Sequence, residues 1–131
     1  MTGSAAPFRS CPCGSGRPYS ACCGPLHDGG NAETAEALMR ARYSAYALGE
    51  LGYVFRTWHP GTRPDRVSPT PGLTWTGLEI IRSADGGASD ATGEVEFVAR
   101  YRSSGVVQEM HETSRFERRG GRWVYVSGDV T

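Results

Sequence analysis

Lysine is absent from this 131-residue chain: all fourteen basic residues are arginine, and fourteen acids balance them to a formal charge of zero. A neutral chain lacks the global positive field of a protein held mainly by phosphate contacts. The all-arginine basic set carries no functional weight of its own. No run approaches the ~18 apolar residues that a membrane span requires, so membrane insertion is not expected. Residues 1–10 hold no apolar segment of the kind a secretory signal needs. Cysteine is missing from everything after position 23. These absences set the expectation of a soluble cytoplasmic protein, in which thiols stay reduced and paired cysteines bind metal or do redox work.

Against those gaps, one stretch stands out. Cys11-Pro12-Cys13-Gly14-Ser15-Gly16-Arg17-Pro18-Tyr19-Ser20-Ala21-Cys22-Cys23-Gly24 contains every cysteine in the chain. Its glycines and prolines exclude a regular helix or a long strand. Two thiols one residue apart and two adjacent thiols can supply opposite edges of a tetrahedron around one ion. Gly14 and Gly16 can take the positive φ that folds a loop around it. Arg9 and Arg17 are near enough in sequence to offset the negative charge of four thiolates. With four protein ligands the site has no open position and is structural rather than catalytic. The alternatives are disulfides, a redox dithiol and free thiols. Adjacent cysteines pair only through a strained ring, and the compartment disfavours bridges between the pairs. Zinc is preferred, with iron able to take the same geometry. His27 is a substitute ligand for one thiol.

Six Tyr, four Phe and three Trp argue for a packed core, and the length suits one ordinary domain plus a small appendage. Residues 1–10 read as a flexible terminus, 11–28 as the metal-binding segment and 31–131 as a domain with a separate core. Leu26 to Asn31 is the boundary. Asn31 or Thr34 can cap a helix in which Ala35, Leu38, Met39, Arg42, Tyr43, Tyr46 and Ala47 form one face, with Gly49 as its stop. A short second helix follows, carrying Leu51, Val54, Phe55 and Trp58, before Pro60 ends it. Strands are expected over Leu73 to Ile81, Glu94 to Arg102, Val106 to about Glu117, and Trp123 to Val126. Gly120-Gly121 should make the last hairpin. Helices first and an antiparallel meander after predict an α+β domain with helices on one sheet face.

The cysteine stretch resembles the SEC-C motif, first known at the C-terminus of the SecA translocation ATPase. The remainder resembles the bacterial YchJ family through Leu38-Met39-Arg40-Ala41-Arg42-Tyr43-Ser44-Ala45-Tyr46, Thr57-Trp58-His59-Pro60, Val95-Glu96-Phe97 and His111-Glu112-Thr113-Ser114-Arg115-Phe116. The resemblance spans nearly the whole chain from Cys11 to Gly128. It implies an N-terminal zinc knuckle joined to a nuclear-transport-factor-two-like, or cystatin-like, domain with helices on a curved antiparallel sheet. Some family members carry a second cysteine motif at the C-terminus, and none follows in this sequence.

The resembling fold often binds ligands over its curved sheet. On the third strand Gln108, Met110, Glu112, Ser114 and Phe116 share one face, and Val107, Glu109, His111, Thr113 and Arg115 the other. An inward carboxylate must be paired or protonated, with Arg40 or Arg42 as the partner. Glu112, His111 and Arg42 are therefore the weak catalytic candidates, against a plain reading in which Glu112 is an ion-paired fold determinant. Arg115, Arg118, Arg119 and Arg122 cluster at the last hairpin, as a solvated turn or as a contact for an anionic partner such as ribosomal RNA. Trp58, Trp75 and Trp123 read as core or interface.

Three functions compete. In the leading one the knuckle, with Arg9, Arg17 and Tyr19, presents a surface to a protein partner. In the second a cavity between helices and sheet binds or transforms a small molecule. In the third the cysteines carry or sense metal. A homodimer through the open sheet face is a further expectation drawn from the resembling fold.

Overall fold

A computed structural model describes residues 9–131. The expected flexible terminus thus lies outside the described residues, except for Arg9 and Ser10. Those two are tied down: Ser10 bridges Pro18, and the Tyr19 amide donates to the Arg9 carbonyl at 2.9 Å. A 3-10 turn (Tyr19–Ala21) and α1 (Cys23–His27) complete the cysteine segment. Helices α2 (Ala35–Leu48) and α3 (Leu51–Arg56) follow, and then strands β1 (Leu73–Asp85), β2 (Thr92–Ser103), β3 (Val106–Arg119) and β4 (Arg122–Val130).

The four strands form one antiparallel sheet in the order β1-β2-β3-β4. This is the meander expected from the alternating pattern, with each strand reaching somewhat further than its apolar run. Both later hairpins turn on two residues of positive φ, Ser104-Gly105 at 52° and 79° and Gly120-Gly121 at 59° and 81°. Such turns match the right-handed twist of the paired strands. Register shifts at Trp75/Gly77 and Ile80/Arg82 in β1, and at Tyr125/Ser127 in β4 opposite Arg115/Phe116, mark bulges, and bulges bend the sheet. Gly93 lets β2 cross Gly86 closely: a Cβ there would lie 2.5 Å from Gly86 Cα.

Helix α2 starts where Thr34 accepts the Ala37 amide at 3.0 Å and ends at Gly49 with φ 79°. The sequence pattern predicts one buried face. The structure buries two: Leu38, Met39, Arg42 and Tyr43 are covered, and so are Ala41, Ser44 and Ala45. Met39, Arg42 and Tyr43 line a space over the sheet with Phe97 and Ala99, and Ser44 meets the cysteine segment on the other side.

The expectation of a separate core is not met. Cys11, Cys13 and Cys23 lie in the same buried cluster as Leu38, Val54, Val95, Phe97 and Phe116. Side chains fasten the segment to both helices. His27 Nε2 donates to the Ala41 carbonyl at 2.8 Å, leaving Nδ1 to accept from the Tyr19 hydroxyl at 2.7 Å. Arg56 donates to the His27 carbonyl at 2.9 Å.

The arginine cluster at the last hairpin is dispersed. Arg115 pairs with Asp129 at 2.9 Å and donates to Ser127. Arg118 lies over the Trp123 ring and donates to the carbonyls of Gly87, Ala88 and Asp90. It is a cap for the β1–β2 loop. Arg119 and Arg122 are exposed. The outward face of the sheet supplies its own charge partners, Glu79 and Glu109 around Arg100, Glu94 and Glu96 around Arg82, and His111 on Glu96.

Candidate functional site

Two sites lie on opposite sides of α2. On one, the turn at Cys11–Gly14 (Gly14 amide to Cys11 carbonyl, 3.1 Å) brings Cys11 and Cys13 together, and the start of α1 brings Cys22 and Cys23. Gly14 and Gly16 take φ of 80° and 84°, as the loop requires. All four sulfurs lie within 4.8 Å of one another. Cys13 Sγ is 3.6 Å from Cys22 Sγ, and Cys22 Sγ is 4.0 Å from Cys23 Sγ. A disulfide needs about 2.05 Å, whereas a tetrahedron with arms of about 2.3 Å has edges of about 3.8 Å. The observed spacings bracket that edge. The four cysteines can hold one metal ion.

The surroundings of the sulfurs were not legible as such. Ser44, which is fully buried, donates to Cys23 Sγ at 3.3 Å and lies 3.5 Å from Cys11 Sγ. Ser15 lies 3.2 Å from Cys22 Sγ. Arg40 donates to the Cys13 carbonyl at 2.9 Å and approaches its sulfur at 3.9 Å. Arg40, rather than the exposed Arg9 and Arg17, is the cation against the cluster. Hydrogen bonding from Cys23 holds the Cys13 thiol down to about 4, against the opposing effect of burial, and the same interaction pushes Cys23 up. Burial raises Cys11. His27 is not a ligand, since both ring nitrogens are engaged elsewhere.

On the other side of α2 is a cavity of about 280 Å³, lined by Arg42, Trp58, Trp75, Glu112, Ser114 and Tyr125 among others. The face predicted for β3 is the inward one. Arg42, Glu112 and Ser114 share the cavity, while His111 points away and meets Glu96 Oε2 at 2.6 Å. Glu112 is not ion-paired to either expected partner: Arg40 bonds Glu36 and the Cys13 carbonyl, and Arg42 bonds α3. Glu112 Oε2 accepts from Ser114 at 2.8 Å and from the Tyr125 hydroxyl at 3.5 Å. It also packs onto Gly128, where an added Cβ would meet the Glu112 carboxylate. Burial beside Glu112 raises the Tyr125 hydroxyl to about 12.

Arg42 is 4% exposed. One nitrogen, Nη1, donates to the Val54 carbonyl at 2.8 Å and to Thr57 Oγ1 at 2.9 Å. The guanidinium carbon sits 4.5 Å from the Tyr125 ring centroid and 5.1 Å from that of Trp58. Burial lowers the Arg42 pKa, yet arginine stays charged. Trp58 was read as core; its indole N–H is buried and has no partner among the described residues.

Fold and cluster together match known proteins. The family model described as YchJ, middle NTF2-like domain, matches residues 34–128, and the SEC-C motif matches residues 10–25. The chain belongs to the YchJ family. A "UPF0225 protein" of Streptomyces coelicolor is 52% identical over 124 residues, covering 94% of this chain and 97% of that one. Another, of Deinococcus radiodurans, is 51% identical over 122 residues, covering 92% and 88%. The solution structure of a SEC-C motif containing protein from Rhodopseudomonas palustris superposes with a TM-score of 0.82 at 37% identity, over 94% of this chain and 99% of that one. A crystal structure of a SEC-C motif containing protein from Psychrobacter arcticus gives 0.76 at 28% identity, over 96% and 85%. The YchJ match covers both α2 and the strands that line the cavity, and the SEC-C match covers all four cysteines.

Proposed function

We propose that this YchJ-family protein is a small-molecule-binding domain whose cavity wall is braced by a structural zinc ion. The observation that carries the reading is Arg42, a buried cation lining the cavity with no carboxylate partner within ion-pair distance among the described residues. Buried charges are ordinarily paired. A mostly apolar pocket with a few convergent polar groups is the usual form of a ligand site.

The metal belongs to the same reading. Zinc suits four thiolates at this spacing, and the filled coordination makes it a brace. Helix α2 then has the cluster against Ser44 and the cavity against Arg42, so fixing one side of the helix steadies the other. The adaptor reading draws less support, because Tyr19 is spent on His27 and packs beside it. A metal carrier would need an exposed, exchangeable site, whereas Cys11, Cys13 and Cys23 are buried.

The test is a fragment screen by NMR on the metal-loaded full chain, using a panel of mixed charge and watching the indole N–H signals of Trp58 and Trp75. Binding should shift those signals, and filling the cavity with Ala99→Phe should abolish the effect. If no fragment shifts them, or if Ala99→Phe binds as well as the parent, the cavity is not the site.

A further inference from the structure

The unspent hydrogen-bonding atoms of the cavity specify a class of ligand, an inference that rests on the cavity being the binding site. A guanidinium offers five N–H donors in a planar fork. Arg42 uses Nη1 on α3 and stacks its face against Tyr125 and Trp58. Its Nε and Nη2 donors have no partner among the described residues. Glu112 spends Oε2 on Ser114 and Tyr125, which leaves Oε1 without a donor among the described residues. The indole N–H of Trp58 is the single sealed side-chain polar atom that lacks a partner there. The spare atoms of Arg42 and Glu112 are therefore not sealed; they keep a route to the solvent in the cavity.

We propose that the cavity selects a small carboxylate bearing an apolar body and one hydrogen-bond donor, with the carboxylate held by Arg42 and the donor by Glu112. The free edge of a guanidinium fork matches a carboxylate through two parallel bonds. Trp58 contributes its ring to the same wall. The ligand's hydroxyl or ammonium meets Glu112 Oε1, and its body lies among Tyr43, Tyr46, Trp75, Phe97 and Met110. A volume of about 280 Å³ equals the liquid share of about nine waters at about 30 Å³ each. That admits a ligand on the order of ten non-hydrogen atoms and excludes a nucleotide.

The same atoms reject other chemistry. A phosphate dianion would meet one arginine and a carboxylate that repels it. A simple amine would satisfy Glu112 and face an uncompensated Arg42. A neutral alcohol would leave the fork of Arg42 unpaired, and a site built for a polar partner discriminates strongly against a ligand that lacks it.

The test compares matched probes on the full metal-loaded chain by calorimetry and by the Trp58 and Trp75 indole signals. 3-Phenyllactate and phenylalanine carry both groups. 3-Phenylpropionate lacks the donor, 3-phenylpropanol lacks the anion, and 2-phenylethylamine carries only the cation. The expected result is that phenyllactate or phenylalanine binds at least tenfold more tightly than the propanol and the amine, and several-fold more tightly than phenylpropionate. Which of the two binds better tells a hydroxyl donor from an ammonium. Arg42→Met should erase the preference for carboxylates. Because Arg42 also holds α3, Arg42→Lys serves as the milder variant, keeping a cation but losing the planar fork and so weakening carboxylate binding alone. If the alcohol or the amine binds as tightly as the carboxylates, the ligand class is wrong while the cavity remains a binding site. If phenylpropionate equals phenyllactate and phenylalanine, the role of Glu112 is overturned. If no probe of any charge binds, this inference and the reading beneath it both fail.

Discussion

Arg42 and Ser44 stand two residues apart on α2, both buried, and face opposite ways: Arg42 lines the cavity, and Ser44 donates to Cys23 Sγ at 3.3 Å. At 3.6 residues per turn a two-residue step turns about 200° around the helix. One helical turn therefore joins the cysteine cluster to the cavity.

Ser44→Ala should weaken metal binding without removing a ligand. Groups that hydrogen-bond metal ligands orient them, and their loss typically costs on the order of 10–100-fold in affinity. Competition with a chromophoric chelator measures the change. An unaltered affinity would show that the Ser44 bond has no part in holding the ion.

One zinc ion per chain is expected in protein purified without chelator, measured by elemental analysis. It should be released in acid as the thiolates protonate, and Cys22→Ser should lower the stoichiometry. Less than half an equivalent in the parent protein would count against a structural metal.

Removal of the metal should reach the sheet domain, because Cys11, Cys13 and Cys23 share a core with Leu38, Val54 and Phe97. Chelation is expected to lower the unfolding midpoint of the whole chain and to alter the near-ultraviolet circular dichroism of Trp75 and Trp123. A transition unchanged by chelation would show two independent units.

Gly93→Ala should destabilise by roughly 1–3 kcal/mol, the usual cost of overpacking. The added Cβ would meet Gly86 Cα at 2.5 Å and Gly86 N at 2.8 Å, which is backbone and cannot swing aside. Denaturant unfolding reads the loss, and a neutral result would mean that the β1–β2 loop can move.

The acid side of the stability curve should carry small contributions from the outward sheet face. The hydrogen bond from His111, then that from Arg82, holds the Glu96 carboxyl below its ordinary range, and Arg115 does the same for Asp129. A carboxyl depressed in the folded state stabilises above its unfolded pKa, and that contribution is lost as pH falls through the folded value. Carbon-detected NMR titration should place both below the ordinary carboxylate range, with Arg82→Ala moving Glu96 upward.

Local features were legible in the residues alone. The spacing of Cys11, Cys13, Cys22 and Cys23 marked the metal site because a chelating loop is short and its glycines are local. The alternation of Val95, Phe97, Ala99 and Tyr101 marked β2, and that of Met110, Glu112, Ser114 and Phe116 put those residues on one face of β3, because strand periodicity is local too. Which face turned inward came from the fold. Thr34 and Gly49 marked the ends of α2 for the same reason. The second buried face of α2 was harder to see. Ala41, Ser44 and Ala45 are small and mixed in polarity, so they carry little hydrophobic signal, although such a stripe is what lets another segment approach closely.

Pairing across long separations depended on the folded chain. Nothing near Arg42 in sequence says that it bonds Val54 and Thr57 rather than Glu112, or that Arg40 serves Cys13. Likewise, Arg118 looked like part of a solvated cluster until the β1–β2 loop was seen to present its carbonyls to it. Long charged side chains reach several ångströms in many directions, so their partners depend on which elements the folded chain brings alongside. Residue pattern alone located the cysteines, α2, α3 and the four strands. Helix α1 (Cys23–His27) forms where the glycines and prolines had excluded a regular helix, because its short turn is held by His27 against α2. The packing of α2 between the cysteine segment and the sheet decided that the metal site and the cavity share one wall.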